Sequence, residues 1–152
     1  MANFCDFELK LKGTAEDIQA FYDALSQAGK TWMGRGADAY LCFGDKDPER
    51  DQYIATIGGA CKWSVKDALI NDAISMKKQK DGGPHTWADI DDVDEFLTVW
   101  DACKKYNLEM EGYSREDEGG MFEEYIAYLD GEEYYETIDL NEEDGFDRVY
   151  TF

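Results

Sequence analysis

The sequence predicts an α+β fold, an antiparallel sheet with helices packed on one face, and three observations carry that prediction. The chain opens on a stretch where apolar and charged residues alternate. An apolar stripe at helical spacing follows it. Near the C-terminus, Asp130-Gly131 joins two strand-like runs. A period of two marks a half-buried strand, a period near 3.6 marks one helix face, and Asp-Gly favours the tight hairpin turn.

In the first strand, 3–11, Cys5, Phe7, Leu9 and Leu11 alternate with Asp6, Glu8 and Lys10, and Gly13 ends it. Thr14 caps a helix, with Asp17 in the place a capping box gives to Glu. Ile18, Phe21, Leu25 and Ala28 form its stripe, and Gly29 stops it. Strands follow at 39–43 and 53–57. Gly58-Gly59 after the second of these suggests a bulge or a close backbone approach. SVKDALINDAISMKK reads as a helix over 64–78 capped by Ser64, and the basic KKQKDGGPH as a loop.

The strongest helix signal runs from 86 or 89 to 106. Ile90, Val93, Phe96, Leu97, Trp100 and Cys103 recur at helical spacing. Asp91, Asp92, Asp94 and Glu95 crowd its first turns, Lys104 and Lys105 its last, and Asn107 stops it. Three strands, 108–113, 121–129 and 132–140, complete the chain. The order fits a split βαβ, ferredoxin-like sheet ending in an acidic C-terminal hairpin.

The chain reads as one domain, 1–152, with 43% hydrophobic residues and only two prolines. It holds no apolar run of the ~18–20 residues that a bilayer span needs. MANFCDFELK has acids early and no apolar signal core, so a cytoplasmic protein is expected. Cys5, Cys42, Cys61 and Cys103 are irregularly spaced, without the paired spacing of a zinc site, and read as core thiols.

Charge sets the functional reading. The chain carries a net −20, and residues 109–152 hold sixteen carboxylates against Arg115 and Arg148, a net −14. Tyr113, Phe122, Tyr125, Tyr134, Tyr135, Phe146 and Tyr150 are interleaved with those acids, so the segment reads as a folded surface rather than a disordered tail. Such a field repels nucleic acid and anionic membranes and attracts basic partners.

Chemistry finds less support. His85 is the chain's one histidine, and no nucleophile elbow, phosphate loop or metalloprotease helix occurs. No catalytic residue, metal ligand or cofactor is assigned. An EF-hand register started at Asp139 puts Asp144 where Gly is required and Tyr150 where Glu is required.

The stretch ANFCDFELKLKGTAEDIQAFYDAL resembles the opening of the YubB-like ferredoxin-fold proteins of plasmids and phages. IGGACKW resembles their Gly-Thr-Lys-Trp stretch, with Gly59, Lys62 and Trp63 in matching places. FLTVWDACKKYNLEMEGYSREDEGGMFEEYIAYLDGE resembles their long helix, next strand, acidic turn and final hairpin. The likeness covers most of 2–136. GGPHTWADI stands where that family has Trp-Ser-Pro-Pro, and ALINDAISMKK replaces a strand. The resemblance implies the fold and a mobile-element origin, and brings no catalytic residues with it.

The expected function is therefore a DNA-mimicking inhibitor and not an enzyme. Its partner is a basic nucleic-acid-binding protein of host defence, a nuclease or CRISPR-Cas effector in a bacterial cytoplasm. The expected contact residues are Glu109, Glu111, Tyr113, Glu116, Asp117, Glu118, Glu123, Glu133, Glu142, Glu143 and Asp144, with Tyr134 and Tyr135 as further anchors. The alternatives are a small carboxylate-site enzyme or metal-dependent module, and a soluble accessory domain of a mobile element.

Overall fold

The computed structural model describes residues 4–29, 37–47, 49–62, 64–66 and 98–152. The opening alternation becomes β1, Phe4–Gly13, with Cys5, Phe7, Leu9 and Leu11 buried. Thr14 then starts α1, Ala15–Gly29. Its hydroxyl oxygen accepts from the Asp17 backbone N–H at 3.1 Å and donates its proton to the Asp17 carboxylate at 2.9 Å. Aspartate is too short to reach back to the cap's own N–H, so it takes the hydroxyl instead. Ile18, Phe21 and Leu25 of α1 are buried.

Strands β2, Ala37–Lys46, and β3, Tyr53–Lys62, are both longer than the sequence predicts. β3 continues through Gly58-Gly59 with unbroken register to β1, so no bulge forms there; the irregularity falls in β2 between Phe43 and Lys46. The expected close approach does occur. A side chain at Gly59 would collide with the Asp38 carbonyl oxygen and Ala39 Cα of β2.

Helix α2, Val99–Lys105, replaces the end of the long predicted helix. Thr98 is extended, and its side chain accepts from the Asp101 N–H, so the helix begins at Val99 rather than running through from 86 or 89. The hydroxyl supplies a local alternative to the helical ladder at that point. Asn107 stops α2 with φ 55°. Leu108 N–H bonds to Cys103 O and Asn107 N–H to Lys104 O, the paired closure of a left-handed helix stop. The rest of that predicted helix lies outside the described residues. So does the 64–78 helix apart from Ser64, Val65 and Lys66, which are not helical.

The remaining strands are β4, Glu109–Glu116, β5, Phe122–Leu129, and β6, Glu132–Asp139. Asp130 (φ 52°) and Gly131 (φ 80°) make the predicted two-residue turn between β5 and β6. Among the described residues, these six strands form one antiparallel sheet, ordered β2-β3-β1-β4-β5-β6. The fold is therefore α+β. Leu9, Leu11, Ile57, Met110 and Ile126 of the sheet pack with Ile18, Phe21 and Leu25 of α1 and Val99, Ala102 and Cys103 of α2 in one core.

Candidate interaction surface at the acidic end of the sheet

Within 109–152, four of the sixteen carboxylates are buried: Glu111, Glu116, Glu123 and Glu124. A buried carboxylate is tolerated only when hydrogen bonds or charges replace its water, and each of these four is so held. The β4–β5 loop wraps round the Glu116 side chain. Its carboxylate accepts from the N–H groups of Glu118 (3.0 Å), Gly119 (2.8 Å), Met121 (3.0 Å) and Gly120. Burial pushes the Glu116 pKa up, but the four backbone donors outweigh it and leave the pKa below the ordinary carboxylate value.

Glu111 and Glu123 lie on the sheet face away from the helices and hold down the last residues of the chain. Glu111 accepts from Tyr125 OH (2.8 Å), Thr151 Oγ1 (2.7 Å) and Thr151 N–H (2.6 Å). Glu123 accepts from Phe146 N–H at 3.1 Å and sits 3.7 Å from the Arg115 guanidinium and 3.6 Å from that of Arg148. Tyr150 OH donates to Glu8 on β1 at 3.0 Å, and Lys10 lies over the Tyr150 ring.

Tyr113 is the centre of this packing. Its ring meets those of Tyr125 (5.2 Å), Tyr150 (5.4 Å) and Phe146 (5.8 Å), and its hydroxyl donates to Val149 O at 3.0 Å. Residues 140–152 thus form a strap across β1, β4 and β5, held by side chains. Burial, followed by the bonds to Glu111 and Glu8, pushes the Tyr125 and Tyr150 hydroxyls above their ordinary pKa.

Glu124 faces the other way. Being adjacent to Glu123 on a strand, it points to the helix side, where Ser114 Oγ (2.5 Å), Val65 N–H (2.5 Å) and Tyr135 OH (2.8 Å) donate to it. No predicted contact residue drew attention to it. The signal was there in FEEYIAYL, since two consecutive acids in a strand occupy opposite faces.

The predicted contact set therefore divides. Glu111, Glu116, Glu123 and Tyr113 are buried and serve the fold, which corrects their expected place on the surface. Asp117, Glu118, Glu142, Glu143 and Asp144 are exposed. They come together at one end of the sheet, because Phe122 pairs with Asp139 and Leu140 N–H bonds to Met121 O at 2.9 Å, setting the 117–121 loop beside the 140–144 turn. Asp139 joins them and organises the turn by accepting from Asn141 N–H at 2.9 Å. Glu109 and Glu133 lie at the opposite end, the first half-buried and the second bonded to Lys104 at 3.1 Å.

Among the described residues, no group of three or more His, Cys, Asp or Glu side chains is arranged to hold a metal ion. A cleft of about 340 Å³ at the opposite end of the sheet is lined by Lys12, Arg50, Gln52, Glu109 and Tyr128 among others. Among the described residues, no helix is long and apolar enough to cross a membrane. His85 lies outside the described residues.

No protein-family model, curated protein or solved structure matches the chain. The functional reading accordingly rests on this surface.

Proposed function

We propose that the protein is a DNA-mimicking inhibitor that seats the acidic end of its sheet in the basic nucleic-acid groove of a bacterial host-defence nuclease or CRISPR-Cas effector. One observation carries this reading, the sorting of the carboxylates. Those inside have their hydrogen bonds and charges met by the fold and fix its loops, while Asp117, Glu118, Asp139, Glu142, Glu143 and Asp144 are exposed, on two adjoining turns and the end of β6. Acids kept for solubility alone have no reason to be fixed in this way.

The spacing is suitable. Duplex DNA offers one charge per ~1.7 Å of axis, and same-face residues on a strand recur every ~6.6 Å, so several turns and strands side by side present carboxylates at a comparable density. The exposed rings of Tyr134 and Tyr135 lie further along β6, toward the Asp130-Gly131 turn, and stand apart from these acids.

The strand order supports the finer reading of the fold. β2-β3-β1-β4, with α1 between β1 and β2 and α2 between β3 and β4, is the order of a split βαβ, ferredoxin-like unit. β5 and β6 extend it at the β4 edge. With the YubB-like resemblance of the sequence, this supports an origin on a plasmid or phage.

The test is capture from bacterial lysate at low salt with the chain immobilised. The expected result is a nucleic-acid-binding protein that competing duplex DNA displaces. Recovery of no such protein, or of one indifferent to DNA, would sink the reading. Reversing Asp117, Glu118, Glu142, Glu143 and Asp144 to Lys should abolish capture while leaving the circular dichroism spectrum unchanged. Glu116 is kept, because its carboxylate holds the loop.

A further inference from the structure

Cys5 on β1 and Cys61 on β3 stand directly opposite each other in the antiparallel ladder. Both are buried, and their sulfurs lie 3.1 Å apart. Facing residues of antiparallel strands have Cα atoms ~4.5 or ~5.5 Å apart, and a disulfide accepts ~4.4–6.8 Å. The register therefore puts the pair within the Cα range that a disulfide spans.

We propose that Cys5 and Cys61 are a redox modification site, oxidised by a hydroperoxide to a disulfide that clamps β1 to β3. One thiolate attacks the peroxide, the O–O bond breaks, and an alcohol or water leaves, giving a sulfenic acid. The second thiolate attacks that sulfur, the S–S bond forms, and the sulfenic hydroxyl leaves as water with a proton. The two sulfurs lose two electrons in total and the peroxide gains them. Access comes from the position of the pair. Cys5 is the second residue of β1 and Cys61 the last but one of β3. Strand ends open locally at far less cost than the whole fold.

The other two thiols have different surroundings. Cys42 is exposed on β2 and faces Thr56 in the ladder. Cys103 is buried within α2 rather than near a strand end, and that burial pushes its pKa up.

The positions are 56 residues apart, so a bond between them closes a long loop in the unfolded chain. Such a closure raises Tm by roughly 10 °C in a domain of this size.

The experiment uses the full chain with Cys42→Ser, which removes the exposed thiol. The folded protein is treated with dilute hydrogen peroxide, then denatured and alkylated. Before alkylation, the expected intact mass is about 2 Da below the reduced form, for the two hydrogens lost. One alkylated thiol should remain in place of three, and a linked peptide should contain Cys5 and Cys61. Tm should rise, and dithiothreitol should return it. Three alkylated thiols after treatment, a cross-link through Cys103, or sulfinic acid at Cys5 or Cys61 would overturn the proposal. So would an equal rise in Tm in the further variant Cys61→Ala. The mass and peptide measurements stand whether or not that variant folds.

Discussion

At Glu116 a negative charge sits in the interior because four backbone N–H groups point at it, and that geometry has a measurable pH signature. A carboxyl whose pKa is lower in the folded chain stabilises the fold above its unfolded pKa, here 4.5, and loses that contribution as pH falls through the folded value. Glu116→Gln should cost about 1–3 kcal/mol at pH 7, the usual penalty for leaving buried donors unmatched. It should also flatten the acid limb of stability below about pH 4.5; urea titrations from pH 3 to 7 measure both.

The tyrosines have the opposite sign. Tyr150 has a raised pKa, so its contribution is complete below 10.0 and is lost as pH rises through its folded value. Tyr150→Phe removes the bond to Glu8, and should lower stability at pH 7 while making the alkaline limb shallower in urea titrations carried from pH 7 to above 10.

None of this sorting is visible in composition. EMEGYSRE looks like a solvated strand until it is known that both its faces are covered, one by the core and the other by the strap. The cysteines carry the same lesson. Chain spacing says nothing of a contact made across a ladder, and the apolar neighbours that suggested a core position for Cys42 do not bury it.

Elements were legible where their signals are local. β1 follows from alternation, α1 from its stripe and cap, and the β5–β6 hairpin from Asp130-Gly131, each needing only neighbours in the chain. The start of α2 was not legible, because the choice at Thr98 lies between two local bonding patterns that periodicity does not distinguish. The strap was hidden for a different reason. LNEEDGFDRVYTF has neither period, and among the described residues its order comes from distant partners: Glu8, Glu111, Tyr113 and Glu123.

Removing 145–152 should therefore act on the sheet, not on a tail. It strips the cover from Tyr113 and leaves Glu111 and Glu123 without most of their donors. Uncompensated buried charge costs several kcal/mol. The truncated chain should lose at least about 3 kcal/mol in denaturant titration and bind a hydrophobic dye. Unchanged stability would mean that the strap holds nothing.

For the whole molecule, charge acts on the fold and on the proposed partner with opposite signs, and salt separates them. A chain at −20 repels itself when compact. Raising ionic strength shortens the Debye length from ~30 Å at 0.01 M to ~8 Å at 0.15 M, so added NaCl should raise Tm. The same screening weakens attraction to a basic groove. A folded protein lacks the condensed counterions of a duplex, so the effect should fall mainly on the rate of encounter and less on the bound state. Between ~0.05 and ~0.5 M NaCl the association rate should drop about 10-fold or more, with dissociation changing far less. Reversing the five exposed acids takes the net charge from −20 to −10, two units for each residue. That variant should be more stable at low salt, respond less to added NaCl, and bind no partner. The pairing of gained stability with lost binding is the decisive result. If binding survives the reversals while the self-repulsion disappears, the acidic end is solvated surface and the contact lies elsewhere.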